Sequence, residues 1–260
     1  MNQASHSPVG FFDSGMGGIS VLREAVRQLP HENFIYFGDS YNAPYGIKSH
    51  EEVLQLSKKA TSLLLRQGAK AIVIACNTAT GAAANTLRRI YPQLPIIGIE
   101  PAVKPAVLRH PGGRIVVMAT PRALQEEKLL RLLAQFDDKA EVFRLPCGGL
   151  MEFVERGELD GNRLNRYLHQ RFDPLFDRPV DAVVLGCTHY PFLKKAIAKV
   201  AGPQAEIIDG NAGTVRELKR RLQCENLLSD SDQPGQVVFQ NSSPDPAYIA
   251  RSEMLFHLPE

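Results

Sequence analysis

Two cysteines of this chain stand in the same kind of setting, and it is one in which a thiol can do acid–base work. Ala71-Ile72-Val73-Ile74-Ala75 runs into Cys76-Asn77-Thr78-Ala79-Thr80, and Ala182-Val183-Val184-Leu185-Gly186 runs into Cys187-Thr188-His189-Tyr190-Pro191. Each reads as an apolar run, a small residue, a thiol, then hydrogen-bonding side chains. A thiol at a helix N-terminus or beside a protonated histidine gains thiolate character. One thiolate and one thiol facing each other across a substrate suit a two-base reaction, exchanging the roles of general base and general acid. The competing role is packing, because a buried cysteine behaves as a small hydrophobe. Matched polar settings favour chemistry at Cys76 and Cys187, whereas Cys147 and Cys224 lack such settings and read as packing residues.

A third candidate is the glycine-rich stretch Asp13-Ser14-Gly15-Met16-Gly17-Gly18. It is neither the GxGxxG of a dinucleotide fingerprint nor the GxxxxGK[ST] of a P-loop. Two roles stay open for it. Glycines in left-handed conformations ahead of a helix N-terminus can present amides to a carboxylate, or the stretch is a tight strand-to-helix turn. Asp13, read as an exposed acid at a strand end, suits positioning an ammonium or orienting a base. Asn77, Thr78 and Thr80 are side chains able to hydrogen-bond carboxylates.

The elements that must position these residues alternate strand with helix, the signature of parallel sheets flanked by helices. Strands are expected at 9–12, 33–37, 71–75, 96–99, 114–118, 140–144, 182–186, 205–208 and 236–239. Helices are expected at about 18–29, 49–67, 81–90, 102–108, 124–136, 149–156, 162–172, 192–200 and 211–222, with a terminal helix after the last strand and loops at 42–46 and 229–235. Short aliphatic runs without alternation are strands buried on both faces. Each cysteine then lies just past the carboxyl end of a central strand, where open α/β sheets place their ligand crevices. The fold class is α/β, with two similar, pseudo-symmetric domains, each a mostly parallel sheet flanked by helices. Residues 1–99 with 209–260 form the first, carrying Asp13 and Cys76, and 100–208 form the second, carrying Cys187. A small ligand belongs in the cleft between two such domains.

Composition narrows the class. The chain has 260 residues, 44% hydrophobic and 22% charged, as in an ordinary soluble enzyme. A net charge of +2 with dispersed basic residues argues against nucleic acid as the main partner. The longest basic cluster, Lys219-Arg220-Arg221, reads as a solvated helix end. The N-terminus shows no basic region followed by an apolar segment, and no stretch approaches the roughly 20 apolar residues that span a bilayer. These features read as a cytoplasmic protein away from membranes. The four cysteines show no CxxC spacing and are expected to be free thiols.

Four motifs together resemble the glutamate racemases: Phe12-Asp13-Ser14-Gly15-Met16-Gly17-Gly18; Gly38-Asp39 with Pro44-Tyr45-Gly46; Ala75-Cys76-Asn77-Thr78-Ala79-Thr80; and Gly186-Cys187-Thr188-His189-Tyr190-Pro191. The resemblance runs from about residue 9 to the C-terminus. It implies interconversion of L- and D-glutamate without cofactor or metal, supplying D-glutamate for bacterial peptidoglycan, and commonly a homodimer. By position, Cys76 would deprotonate D-glutamate and Cys187 L-glutamate, assisted by Asp13 and His189 respectively. Asp13, Ser14, Tyr45, Gly46, Asn77, Thr78, Thr188 and His189 would hold the substrate, and Glu155 matches a further acidic residue of the family.

Two segments depart from the family pattern. After Thr120 the chain runs Pro121-Arg122-Ala123 where a second threonine is usual, so Thr120 is left out of the site. Ser242-Ser243-Pro244-Asp245 lacks the usual Thr/Ser-Gly-Asp turn. Aspartate racemases are the nearest enzyme alternative, but their second motif commonly runs Cys-Thr-Glu and they usually lack Asp-Ser-Gly. A cleft that binds a small acid without turnover, or a protein partner such as the topoisomerase that some relatives inhibit, are readings of another class. The chain lacks the N-terminal extension of some precursor-activated relatives, so activity independent of a cell-wall precursor is expected.

Overall fold

The structure, a computed structural model, describes residues 5–136, 138–175 and 178–259. The elements in chain order are β1 (Val9–Asp13), α1 (Ile19–Gln28), β2 (Phe34–Gly38), α2 (His50–Arg66), β3 (Ala71–Ile74), α3 (Asn77–Ile90) and β4 (Ile96–Gly98). There follow α4 (Val103–Arg109), β5 (Arg114–Ala119), α5 (Glu127–Ala134), β6 (Glu141–Pro146), α6 (Leu150–Glu155), α7 (Asn162–Phe172), β7 (Ala182–Leu185), α8 (Lys194–Ala201) and β8 (Glu206–Asp209). The chain closes with α9 (Asn211–Cys224), β9 (Val237–Asn241) and α10 (Ala247–Phe256). Two compact units result, Met1–Ile99 with Asn211–Glu260, and Glu100–Gly210. The return to the first unit comes at Asn211 and not at 209, because Asp209 is the last rung of β8 and pairs with Leu185.

The first unit holds a five-stranded sheet in the order β4-β3-β1-β2-β9, and every pairing is parallel. Helices on the sheet's faces bury both sides of its central strands, so β1 and β3 are buried at every position. That is why they read as unbroken apolar runs. Helix α2 is capped by Ser49, whose hydroxyl accepts from the Glu52 amide while the Glu52 carboxylate accepts from the Ser49 amide. Such a capping box satisfies two otherwise orphaned donors. From there Val53, Leu54, Ser57, Ala60, Thr61 and Leu64 recur at helical spacing and face inward.

The second unit holds a four-stranded parallel sheet in the order β6-β5-β7-β8. Its central strands β5 and β7 are buried throughout. Taken in chain order within each unit, the first four strands of both sheets read fourth-third-first-second: β4-β3-β1-β2 in one, with β9 added beyond β2, and β8-β7-β5-β6 in the other. Each cysteine of interest follows its unit's third strand. No described helix is long and apolar enough to cross a membrane.

Several boundaries differ from the sequence expectation. Helix α3 starts at Asn77, not near 81. The loop at 42–46 is flanked and partly formed by 3-10 turns at Ser40–Asn42 and Tyr45–Ile47. The helix expected at 124–136 is a 3-10 turn, Ala123–Gln125, followed by α5, and the one at 192–200 is a 3-10 turn, Tyr190–Leu193, followed by α8.

Candidate active site

In the first unit, Cys76 is the N-cap of α3. Its backbone is extended (φ −140°, ψ 121°) and its Sγ accepts from the Ala79 amide at 3.5 Å. A thiolate here gains from the partial positive charge of the helix end, roughly 0.3–2 kcal/mol in such positions. Ser14 Oγ lies 3.8 Å from the sulfur and 3.5 Å from Asp13 Oδ1. Asp13 Oδ2 accepts from the Gly18 amide at 2.8 Å. The carboxylate is therefore held by its own loop and linked through one hydroxyl to the thiol. Asp13 is fully buried, contrary to the exposed acid expected, because it is the last residue of central strand β1 and the loop folds over it.

The loop's glycines serve space more than rotation. Gly15, Gly17 and Gly18 all avoid positive φ. A Cβ at Gly18 would come within 2.8 Å of the Ala75 Cβ and 2.9 Å of the Asp13 Cβ. The stretch is thus a close-packed turn against the strand end that delivers Cys76. Across the neighbouring strand, Tyr36 donates to the Gly15 carbonyl at 2.8 Å and fixes the loop from the other side.

Tyr45 is buried in the same apolar cluster as Phe12, Cys76 and Ala79 and donates to Asp39 Oδ2 at 2.6 Å. Burial, then the Asp39 carboxylate, push its hydroxyl far above the ordinary phenol range, so it remains a donor. Gly46 follows in the same turn, half-buried. Thr78 is buried in the first turn of α3, and the Asn77 Oδ1 is buried with no hydrogen-bond partner.

In the second unit, Cys187 follows β7 and its Sγ lies 3.7 Å from His189 Nδ1. The far ring nitrogen, Nε2, is 2.7 Å from Glu155 Oε1 at the end of α6. Burial alone would lower the His189 pKa, but the hydrogen bonds to Cys187 and Glu155 and their negative charges outweigh it and lift the ring well above the ordinary imidazole range. Thr188 is buried beside them. Burial pushes the Cys147 thiol up to about 12, which keeps it neutral and agrees with its reading as a packing residue. Cys224 is exposed.

Each unit thus places one of its two thiols just past the end of the same strand of the same topology, backed by a carboxylate through one intervening side chain. The profile of the Asp/Glu/hydantoin racemase family matches residues 15–218. The chain belongs to that family. Within it, the chain is 49% identical over 253 residues to a glutamate racemase of Clostridium perfringens (strain ATCC 13124), covering 97% of each. Among solved structures it matches glutamate racemase isoform RacE1 from Bacillus anthracis with a TM-score of 0.86 and 31% identity, over 98% of this chain and 95% of that one. It matches glutamate racemase from Francisella tularensis, crystallised in complex with D-glutamate, with a TM-score of 0.85 and 28% identity over the same shares.

The structure gives Glu155 and Thr120, whose roles the sequence left open, definite partners, and it turns Thr80 away from the carboxylate-binding role expected of it. Glu155 partners His189, and the fold brings it there across 34 positions of chain. Thr120 accepts from the Ala123 amide at 3.2 Å, at the start of a 3-10 turn. Thr80 turns back to the Ile74 carbonyl at 3.2 Å and packs against Gly98, where an added Cβ would meet its methyl at 2.5 Å. Thr80 therefore serves packing between α3 and β4 and not ligand binding.

Proposed function

We propose that this chain is a cofactor-independent glutamate racemase that moves the Cα proton with two cysteines. The observation that carries the reading is the matched pair of acid-backed thiols, one per unit, on a chain whose relatives are glutamate racemases. Cys76 acts as base toward D-glutamate and Cys187 toward L-glutamate. In either direction one sulfur is thiolate and takes the proton, while the other is thiol and delivers its own to the opposite face of Cα. Inversion requires both sulfurs to reach the same carbon from opposite sides.

The intermediate carbanion is stabilised by fixed donors around the substrate carboxylates. Peptide amides in the first turn of α3 have no helical acceptor and favour an anion. The Asn77 amide group and the Thr78 and Thr188 hydroxyls add side-chain donors, and Ser14 with the Tyr45-Gly46 turn serves the second carboxylate. Asp13 holds the substrate ammonium and supports Cys76 through Ser14. His189, kept cationic by Glu155, stabilises the Cys187 thiolate. D-Glutamate so made serves peptidoglycan synthesis in the cytoplasm, and the enzyme works as a homodimer.

The test is purified protein with L-glutamate in D₂O and reducing agent, with no added cofactor, followed by circular dichroism and proton NMR. Decay of the optical signal to zero with deuterium entering Cα is the expected result. The same behaviour with aspartate and silence with glutamate would move the assignment to an aspartate racemase. Silence with both would overturn the catalytic reading.

A further inference from the structure

Helices α6 and α7 of the second unit enclose a shallow recess of about 400 Å³ that the racemase reading does not use. Its walls come from two helical faces with the same spacing. Gly149, Glu152, Phe153 and Arg156 stand at i, i+3, i+4 and i+7 on and around α6, and Arg163, Arg166, Tyr167 and Gln170 repeat that spacing on α7. Side chains so spaced share one face of a helix.

Three guanidiniums thus converge on one recess. Two of them are aligned by the same ring: the Arg156 and Arg163 Cζ atoms lie 5.3 and 5.2 Å from the Phe153 centroid. Stacking on an aromatic ring holds the guanidinium fork in place. Both also pair with Glu158, whose Oε1 is 2.6 Å from Arg156 Nε and 3.2 Å from Arg163 Nη1. Those pairs are largely exposed and of the kind worth only about 0–1 kcal/mol, so a better anion can replace them. Three arginines against the Glu158 and Glu152 carboxylates leave the recess with a net positive charge.

A second observation specifies more than an anion. Glu152 lines the same recess, and its Oε2 is buried without a hydrogen-bond partner. A buried acceptor left unpaired costs roughly 1–3 kcal/mol, which a hydroxyl from a ligand would recover once the half-buried Glu152 side chain turns that oxygen toward the recess. Arginine forks match phosphate oxygens, and an orphaned carboxylate oxygen matches an O–H donor. We infer that this recess is a binding site for a phosphomonoester that also carries hydroxyl groups, with Arg156, Arg163 and Arg166 on the phosphate and Glu152 on a hydroxyl.

Isothermal titration calorimetry with glucose 1-phosphate, inorganic phosphate and glucose as probes tests this, and its readout is independent of racemisation. Glucose 1-phosphate is expected to bind, inorganic phosphate to bind more weakly, and glucose to give no heat. Arg163→Glu combined with Arg166→Glu, both exposed positions, is expected to weaken glucose 1-phosphate at least about tenfold, or about 1.4 kcal/mol. Far-UV circular dichroism checks that this variant is folded. Glu152→Gln is expected to remove the advantage of glucose 1-phosphate over inorganic phosphate, and Arg89→Glu, in the other unit, to change nothing. No heat from glucose 1-phosphate up to about 10 mM, well above the 1 mM reference for weak binding, would overturn the inference. So would a charge reversal that leaves affinity within about twofold, or equal binding of the two phosphates to the unaltered protein.

Discussion

Replacing Glu155 by glutamine removes one charge and little else. Glu155 Oε1 sits 2.7 Å from His189 Nε2, with the histidine side chain 2% exposed and the glutamate 17%. Glutamine keeps the shape and a carbonyl acceptor, so the ring still donates to a neighbour. A charge-assisted hydrogen bond is worth about 1.5–3 kcal/mol net, roughly twice a neutral one, so the swap forfeits about 1–1.5 kcal/mol. That lowers the His189 pKa toward its ordinary value and takes about five- to tenfold off the rate. In the proposed mechanism the His189 proton keeps Cys187 ionised, so the alkaline limb of kcat/KM is expected to move to lower pH. L- and D-glutamate have equal free energy, so kcat/KM must fall by the same factor from either enantiomer, although only one half of the site was altered. The assay is circular dichroism from each enantiomer between pH 6 and 10, with Tm as a control. A rate loss with the alkaline limb unmoved would refute the reasoning and reduce Glu155 to a structural partner.

Three other outcomes follow from the geometry. Gly18→Ala would drive a Cβ to 2.8 Å from that of Ala75, and the overpacking is expected to cost about 1–3 kcal/mol in a urea titration and to lower activity by displacing Cys76. Lys70→Met strands Glu32, whose Oε2 is 2.6 Å from Lys70 Nζ with both side chains almost wholly buried; a loss of about 3–5 kcal/mol is expected, largely restored by adding Glu32→Gln. The folded pKa of His189 lies above its unfolded value of about 6.5, so the stability it contributes is full below about pH 6.5 and is lost as pH rises through the raised value. The Tm difference between the unaltered protein and His189→Asn is therefore expected to be larger at pH 6 than at pH 9.

The core strands and both thiol positions were legible in the sequence because strands buried on two faces have no alternation to hide, as Ala71–Ile74 and Ala182–Leu185 illustrate. What failed to show was local. Asn77 and Thr78 have poor helix propensity, so α3 seemed to begin near residue 81, whereas its N-terminus is set by the Cys76 sulfur. Asp13 looked exposed because charged residues seldom end up buried unpaired, and nothing in the sequence announced that the Gly18 amide would hold it. Glu155 reaches His189 only through the packing of α6 on the Tyr190–Leu193 turn, a contact of tertiary origin that no spacing rule encodes. In this chain the thiols past the strand ends were readable from residue type, while the contacts that hold Asp13 and Glu155 were not.

The central claim is that two different thiols serve the two faces of one carbon. L-Glutamate is incubated with the protein in D₂O, the reaction is stopped at about 5–10% conversion, early enough that proton transfer is still one-directional, and Cα isotope content is measured in each enantiomer. A two-thiol exchange predicts D-glutamate that is almost fully deuterated at Cα beside residual L-glutamate that still carries protium. Early D-glutamate that retains protium, or residual L-glutamate deuterated as fast as product forms, would mean that one base serves both faces and would contradict the account.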